Sequence, residues 1–239
     1  MITTTFKRYE KKYQLDAVQY QNILPILLAE MKPDTYTSKN DSYMIYNIYY
    51  DTQHYDVIRH SLSKPYYKEK LRLRSYTIPE TLEERVFLEL KKKIGGIVNK
   101  RRASLRLNDA YNFVSKREYP DGLKQSEVQV LKEIEYFLEN RSIEAKAYIS
   151  YQRTAYVGKN DPNLRVTFDC NIKSRQTQLF LEKGDYGDFV IPPNQYVMEI
   201  KILGAMPLWL ARALSELKIY SSSFSKYGKT YQEYLSRAE

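Results

Sequence analysis

The chain has 239 residues, with 38 Lys and Arg against 29 Asp and Glu, a net charge of +9. That length suits one β-rich or α/β domain, the basic balance attracts polyanions over a long range, and a single cysteine, Cys170, excludes an internal disulfide. The opening MITTTFKRYEKKY lacks the apolar run of a secretory signal, and the most apolar stretch, residues 23–31, is at most about half of the ~20 residues that span a bilayer. The expectation is a cytoplasmic chain of one domain over residues 1–239, with no transmembrane helix.

The 24 tyrosines and 8 phenylalanines favour pleated, half-buried surfaces, so much of the chain is expected as strand. Residues 6–15 alternate, with Arg8, Glu10 and Lys12 on one face and Tyr9, Lys11 and Tyr13 on the other. Residues 18–31 have helical apolar spacing, with Pro25 expected to kink or break the helix. YMIYNIYYD, residues 43–51, reads as an aromatic strand. KEKLRLRSY then sets Lys70, Arg72 and Arg74 against Leu71 and Leu73, and VFLELKKK sets Phe87, Glu89, Lys91 and Lys93 against Leu88, Leu90 and Lys92. Gly95-Gly96 marks a turn before NKRRASLRL, where Lys100, Arg102, Ser104 and Arg106 share a face.

Residues 126–140 predict a helix with Ser126 and Gln129 as a capping box and Val128, Leu131 and Ile134 as its apolar stripe. Two more strands follow. LRVTFD sets Arg165, Thr167 and Asp169 against Leu164, Val166 and Phe168, and VMEIKI sets Val197, Glu199 and Lys201 against Met198, Ile200 and Ile202. LWLARALSEL, residues 208–217, predicts a second helix packed on the sheet.

Six segments therefore carry ionic faces. They are either the wet outer faces of ordinary half-buried sheets or, if the sheet closes, the lining of a lumen. Two features favour the lumen. The opposite faces are rich in Leu, Ile, Val and Phe, which suits helices packed outside. The ionic faces mix many Arg and Lys with the isolated carboxylates Glu10, Glu89, Asp169 and Glu199. Such a lining suits a polyanion and a divalent cation, because phosphoryl transfer needs cations around its oxygens more than a covalent nucleophile. Arg supplies forks to phosphate, Lys supplies point charges, and carboxylates supply hard oxygen ligands. No GxxxxGK[ST], GxGxxG, CxxC or HExxH motif is present, and the two histidines, His54 and His60, do not form a catalytic pattern.

Taken in order, FKRYEKKY, KLRLRSY, FLELKKK, VNKRR, YQRTAY, LRVTFD, VMEIKI and SSFSKYGK resemble the vacuolar transporter chaperone (VTC) polyphosphate polymerase domain, a member of the triphosphate tunnel metalloenzymes. The resemblance covers nearly the whole chain. It implies an α+β fold in which a closed antiparallel β-barrel, the tunnel, carries helices packed outside. It also implies roles for residues. Arg72, Arg74, Lys91, Arg153, Arg165 and Lys226 match its catalytic cations. Arg8, Lys12, Lys70 and Lys201 match substrate contacts, as does Lys100 or Arg102, where the register can slip. Ser225 and Lys229 match possible helpers, and Glu199 with Glu10 matches the ligands of Mn²⁺ or Mg²⁺. The chain departs from the wider tunnel family in opening on Arg8 where that family has the first glutamate of ExExK.

The leading expectation is a polyphosphate polymerase that takes the γ-phosphate of ATP onto a growing chain. The alternatives are a tunnel triphosphatase that uses water, and a non-catalytic polyphosphate-binding module. ATP and inorganic polyphosphate are the expected partners, with room for a separate membrane partner. Nucleic acid is not expected, since the cations sit on strand faces interleaved with carboxylates and no RNP-type or helix-turn-helix signature occurs.

Overall fold

The computed structural model describes residues 8–139 and 141–238; the side chains of Arg8, Arg237 and Ala238 lie outside that description. In chain order the elements are β1 (Arg8–Leu15), α1 (Ala17–Glu30), β2 (Met31–Pro33), α2 (Thr37–Asn40), β3 (Tyr43–Thr52), α3 (Asp56–Leu62), β4 (Tyr67–Ser75), β5 (Arg85–Ile94) and β6 (Ile97–Arg106). These are followed by α4 (Leu107–Lys116), α5 (Gln125–Glu139), β7 (Ile143–Gly158), β8 (Arg165–Arg175), β9 (Asp188–Phe189), β10 (Tyr196–Leu203), α6 (Leu208–Glu216), β11 (Ser221–Ser222) and α7 (Lys226–Ala238). Among the described residues no helix is long and apolar enough to cross a membrane.

The chain folds into two compact units, each assembled from three stretches. The first comprises residues up to Met44, Tyr151–Ile172 and Phe189–Lys226; the second comprises Ile45–Ser150, Lys173–Asp188 and the stretch from Tyr227.

In the first unit β1 pairs with β10 and β10 with β8, all antiparallel, and the two residues of β11 pair with β1. One face is apolar. Met198, Ile200, Ile202, Val166, Phe168 and Leu15 are buried there under α1 and α6, which contribute Ile23, Leu27, Leu210 and Leu214. Each such side chain fully removed from water is worth about 1.5–3 kcal/mol before conformational entropy is counted. Tyr20 of α1 stacks on Tyr196 at 3.9 Å and meets Phe168 edge-on at 5.0 Å, fixing the helix on the sheet. Asp16 and Gln19 form the capping box that starts α1. Pro25 lies inside α1 and the helix continues past it, so of the kink or break expected from the sequence the break does not occur. Pro25 and Gln21 are both exposed, so the carbonyl that loses its proline partner can turn to water.

In the second unit β3, β4, β5 and β6 form consecutive antiparallel pairs. Leu71, Leu73, Leu88, Leu90, Ala103 and Leu105 are buried on one face, together with Leu131, Ile134 and Leu138 of α5 and Ala110 and Phe113 of α4. The β5–β6 hairpin turns on two residues, Gly95 and Gly96, between the paired Ile94 and Ile97. Both glycines have positive φ, +53° and +90°, which a two-residue turn of this twist requires of its central pair. Helix α5 begins at Gln125, and the Glu127 carboxylate accepts from the Lys124 backbone N–H at 3.2 Å, so the cap lies earlier than the Ser126 box expected from sequence.

In hydrogen-bonding order the strands run β11-β1-β10-β8-β7-β3-β4-β5-β6. The antiparallel sheet with helices is as expected; the closed barrel is not, because among the described residues this order has two ends. Each end is poorly suited to further pairing. β11 offers only Ser221 and Ser222, and β6 carries Lys100, Arg101 and Arg102 in succession, an edge composition that discourages another strand.

Candidate functional site

The ionic face of the second unit is a ladder of three rows, each running across β4, β5 and β6. The register aligns Lys70 with Lys91 and Lys100, then Arg72 with Glu89 and Arg102, then Arg74 with Phe87 and Ser104. Directly opposed side chains on neighbouring strands stand about 5 Å apart at Cβ, so the first row sets three like charges side by side. Glu89 is the hub of the ladder, with its side chain 1% exposed. Its Oε2 accepts from Arg72 Nε at 2.8 Å and Nη2 at 2.7 Å, and lies 3.9 Å from Arg74 Nε. Its Oε1 meets Lys100 Nζ at 2.7 Å and Arg102 Nε at 2.6 Å.

Burial alone would raise the Glu89 carboxyl, but Arg72, Arg74 and Lys100 hold it far below the usual carboxylate range. Lys100 behaves oppositely. Its burial, against the pull of Glu89 and with the repulsion of Arg72 and Arg74, pushes it down to about 7. Behind the ladder, Arg74 Nε donates to Asn47 Oδ1 at 2.9 Å, and Asn47 donates in turn to the Ile149 carbonyl. Arg72 Nη1 reaches the Tyr49 hydroxyl at 3.3 Å, and the Tyr49 ring stacks on Tyr227, whose hydroxyl donates to the buried Asp51.

The first unit carries its own ionic face. Glu10, Lys201 and Arg165 form one row across β1, β10 and β8; Lys12, Glu199 and Thr167 form the next. Lys201 Nζ sits 2.7 Å from Glu199 Oε1, while Lys12 Nζ lies 3.8 Å from Glu199 and 3.9 Å from Glu10 and donates to the Phe224 carbonyl at 3.2 Å. Asp169, one row further on, takes Arg153 of β7 through two hydrogen bonds of 2.6 and 2.7 Å and also meets Lys226 at the start of α7. Lys226 Nζ and the Arg153 guanidinium lie 4.2 and 5.3 Å from the Tyr151 ring centroid. Arg165 is held by Asp34, Nη2 to Oδ2 at 2.8 Å, and Asp34 also caps the Tyr36 and Thr37 backbone N–H groups.

The expected residues thus fall into two ionic sets, treated unit by unit. Arg72, Arg74, Lys100 and Arg102 gather around Glu89, and Lys70 and Lys91 stand in register with Lys100. Lys100 and Arg102, the two alternatives for one substrate contact, lie two residues apart on the same face. Lys12, Lys201, Glu10, Glu199 and Arg165 share the first unit's face, with Arg153 and Lys226 on Asp169. Arg8 opens β1 opposite Leu203, and its side chain lies outside the described residues. Ser225 directly precedes α7. Lys229 joins neither set; it turns along α7 to Glu233 at 3.8 Å.

Sequence reasoning identified Glu89 and Asp169 only as isolated carboxylates. The structure makes them the anchors of the arginines and lysines. Asn47 and Asp34 were missed, and their short polar side chains in otherwise aromatic or turn segments were the available signal.

Among the described residues no group of three or more His, Cys, Asp or Glu could hold a metal ion. Glu10 and Glu199 are a pair of hard oxygen donors on neighbouring strands. Thr167 Oγ1, in the same row as Glu199, is buried without a hydrogen-bond partner. Two carboxylates are donors of the kind a Mg²⁺-like ion takes alongside substrate phosphates and water, and here the Lys12 ammonium lies 3.9 and 3.8 Å from them.

The family model of the VTC domain matches residues 7–235. Among curated proteins no sequence matches. A proposed adenylate cyclase from Bacillus halodurans has a similar fold, with a TM-score of 0.53 and 13% identity over 92% of this chain and 95% of that one. A Pyrococcus horikoshii protein is similar at a TM-score of 0.48 and 12% identity, over 95% of this chain and 99% of that one. The Mimivirus capping enzyme triphosphatase is similar at a TM-score of 0.36 and 9% identity, over 91% of this chain and 88% of that one.

Proposed function

Since the chain belongs to the VTC domain family, we propose that it is a polyphosphate polymerase, transferring the γ-phosphate of ATP to a growing inorganic polyphosphate chain. The observation that carries this reading is the ladder of Lys70, Lys91 and Lys100 beside Arg72, Glu89 and Arg102. Three lysines in one row beside two arginines offer a polyanion several points of attraction along one face.

The terminal phosphate oxygen of the chain attacks the γ-phosphorus in line, the bond to the bridging oxygen breaks, and ADP leaves with that electron pair. No protein nucleophile is needed. Arg72 and Arg74 lie two residues apart on one strand, about 6.8 Å, and so can address successive phosphoryl groups. Glu89 and Asn47 fix the planes of their guanidinium groups in advance, so little conformational entropy remains to be lost when phosphate oxygens bind. In the first unit, Lys12, Lys201, Arg153, Arg165 and Lys226 offer further cations to phosphate. Glu199 and Glu10 would hold one Mn²⁺ or Mg²⁺, which would supply charge neutralisation to bound phosphate. The charged faces carry more cations than the two-glutamate opening of the wider family would leave, which favours a polyanionic acceptor over water.

The test is to incubate purified protein with ATP and Mn²⁺ or Mg²⁺ and follow ADP, orthophosphate and acid-labile phosphate chains on a gel. ADP with a ladder of chains supports the polymerase. Orthophosphate in step with ADP, with no chain at any time, makes the protein a triphosphatase. Polyphosphate binding with no turnover under either metal makes it a binding module.

A further inference from the structure

The ladder of the second unit does not consist of ions alone. Its third row places Phe87 between Arg74 and Ser104, where the two preceding rows have a lysine and a glutamate on β5. The Arg102 guanidinium lies 4.3 Å over the Phe87 ring. Tyr76, two residues past Arg74, meets Phe87 edge-on, with centroids 5.7 Å apart and planes at 70°. The Tyr76 hydroxyl accepts from Arg102 Nη2 at 3.1 Å, and yet the residue is 39% exposed. Although burial would push the phenol up, Arg74 and Arg102 draw it below its ordinary value, which places both cations close to the ring.

An inorganic phosphate chain gains nothing from an aromatic ring, and a ring this exposed contributes little to the core. A ligand that is a polyanion at one end and aromatic at the other uses both parts of the ladder. Tyr76 directly follows Ser75, the last residue of β4, at the Arg74 end of the ladder, and its hydroxyl reaches back to Arg102, which shares a row with Arg72. A triphosphate on those arginines, followed by a ribose, brings a base to that end of the ladder. Every base offers a π-face to an aromatic side chain, and a neighbouring arginine adds to the attraction. We propose that Tyr76, backed by Phe87 and Arg102, is the stacking seat for the base of a nucleoside triphosphate whose phosphates the cation rows hold. The inference rests on the reading of that face as a triphosphate grip and adds a nucleoside specificity determinant to it.

The test compares binding of the β,γ-imido analogue of ATP with binding of inorganic tripolyphosphate by calorimetry, in wild type, Tyr76→Ala and Tyr76→Phe. The analogue prevents turnover from confusing the titration. Tyr76→Ala is expected to weaken the nucleotide about ten-fold and to leave tripolyphosphate within about two-fold. Tyr76→Phe keeps the ring and is expected to bind both ligands as wild type does. Equal weakening of both ligands by Tyr76→Ala would mean that Tyr76 only steadies Arg102, and would overturn the proposal. So would unchanged nucleotide affinity, or a Tyr76→Phe variant as weak as Tyr76→Ala. If wild type binds tripolyphosphate but not the nucleotide analogue, the stacking seat is wrong and the phosphate grip stands. If it binds neither, both fall.

Discussion

Arg153 meets Asp169 through two parallel hydrogen bonds, Nε to Oδ1 at 2.6 Å and Nη2 to Oδ2 at 2.7 Å, with Asp169 only 1% exposed. Burial would raise the carboxyl of Asp169, but Arg153 and Lys226 hold it down to about 2. The bidentate geometry uses both carboxylate oxygens and fixes the guanidinium plane, which a lysine in place of Arg153 would not do.

Asp169→Asn keeps the shape and removes the charge, leaving two cations without their counterion. The expected cost is about 3–5 kcal/mol, read from urea unfolding. A change below about 1 kcal/mol would mean that water already screens the pair. The pH dependence has a definite sign. The folded carboxyl lies below its ordinary value of 3.8, so its contribution is present above that value and is lost as pH falls towards about 2. Unfolding of the Asn variant should accordingly be flatter than wild type across that window.

Glu89→Gln tests the hub of the second unit. Arg72, Arg74, Lys100 and Arg102 would then face one another without the carboxylate that separates them. Two of the four cations are partly exposed, Lys100 at 37% and Arg102 at 34%, so the expected loss is about 2 kcal/mol, smaller than for a dry pair. For a chain of this size that lowers the melting temperature by about 4–8 °C. Millimolar tripolyphosphate should restore more of the melting temperature in the variant than it adds to wild type. Equal shifts in the two proteins would show that the polyanion does not bind at this cluster.

Lys100 links binding to pH. With its ammonium pushed down to about 7, the free protein at pH 8 holds it mostly neutral, and phosphates laid beside it would restore the charge. Tripolyphosphate binding at pH 8 should take up ~1 proton, measured by calorimetry in buffers of different ionisation enthalpy, and Lys100→Met should abolish the uptake. Affinity should fall as pH rises from 7 to 9. Without ligand the sign reverses for stability: between about 7 and the ordinary lysine value of 10.5 the unfolded chain keeps a proton that the folded one has released, so this group makes the fold more stable as pH climbs. No proton uptake in wild type would remove Lys100 from the site.

Thr167 carries a buried hydroxyl with no hydrogen-bond partner, across the β8–β10 register from Glu199. Thr167→Val removes that unsatisfied group at nearly constant shape and should raise the stability of the ligand-free protein by about 1 kcal/mol. If the hydroxyl serves as an oxygen donor beside Glu199, the same variant should also weaken Mn²⁺ binding in the presence of tripolyphosphate. A variant less stable than wild type would show that the hydroxyl has a structural partner, such as an ordered water.

Much of the fold was legible. The alternation in KLRLRS, FLELKKK, NKRRASLRL and VMEIKI identified strands and the side chains sharing each face, because a strand's side-chain period of two admits only one such division. Gly95-Gly96 marked its hairpin for a local reason, the positive φ of both residues. Helix α4 went unread although Leu107, Ala110, Phe113 and Val114 have the spacing of a helical apolar stripe and are all buried. The strand pattern of NKRRASLRL runs directly into it, so the change of period from two to 3.6 was hidden. At Pro25 the helix does not break, since the cost of a missing donor depends on whether water can reach the carbonyl it leaves.

What the sequence determined by itself is which residues share a face, because that follows from backbone geometry and needs no partner. It therefore specified strongly basic strand faces backed by apolar ones, and cations of the kind that phosphate chemistry requires. Which carboxylate anchors which cation was decided only by the tertiary structure. Arg72 and Arg102 are 30 positions apart and reach Glu89 because β4, β5 and β6 pair in one particular register; Arg153 reaches Asp169, and Lys12 stands beside Glu199, for the same reason. Register is set by burial of the opposite face and by the turns joining the strands, and a shift of one residue would turn the ionic face toward the core. Closure of the sheet was likewise beyond the pattern of any one strand. It depends on whether the last strands offer backbone to pair with, and here those strands are a two-residue β11 and a charge-lined β6.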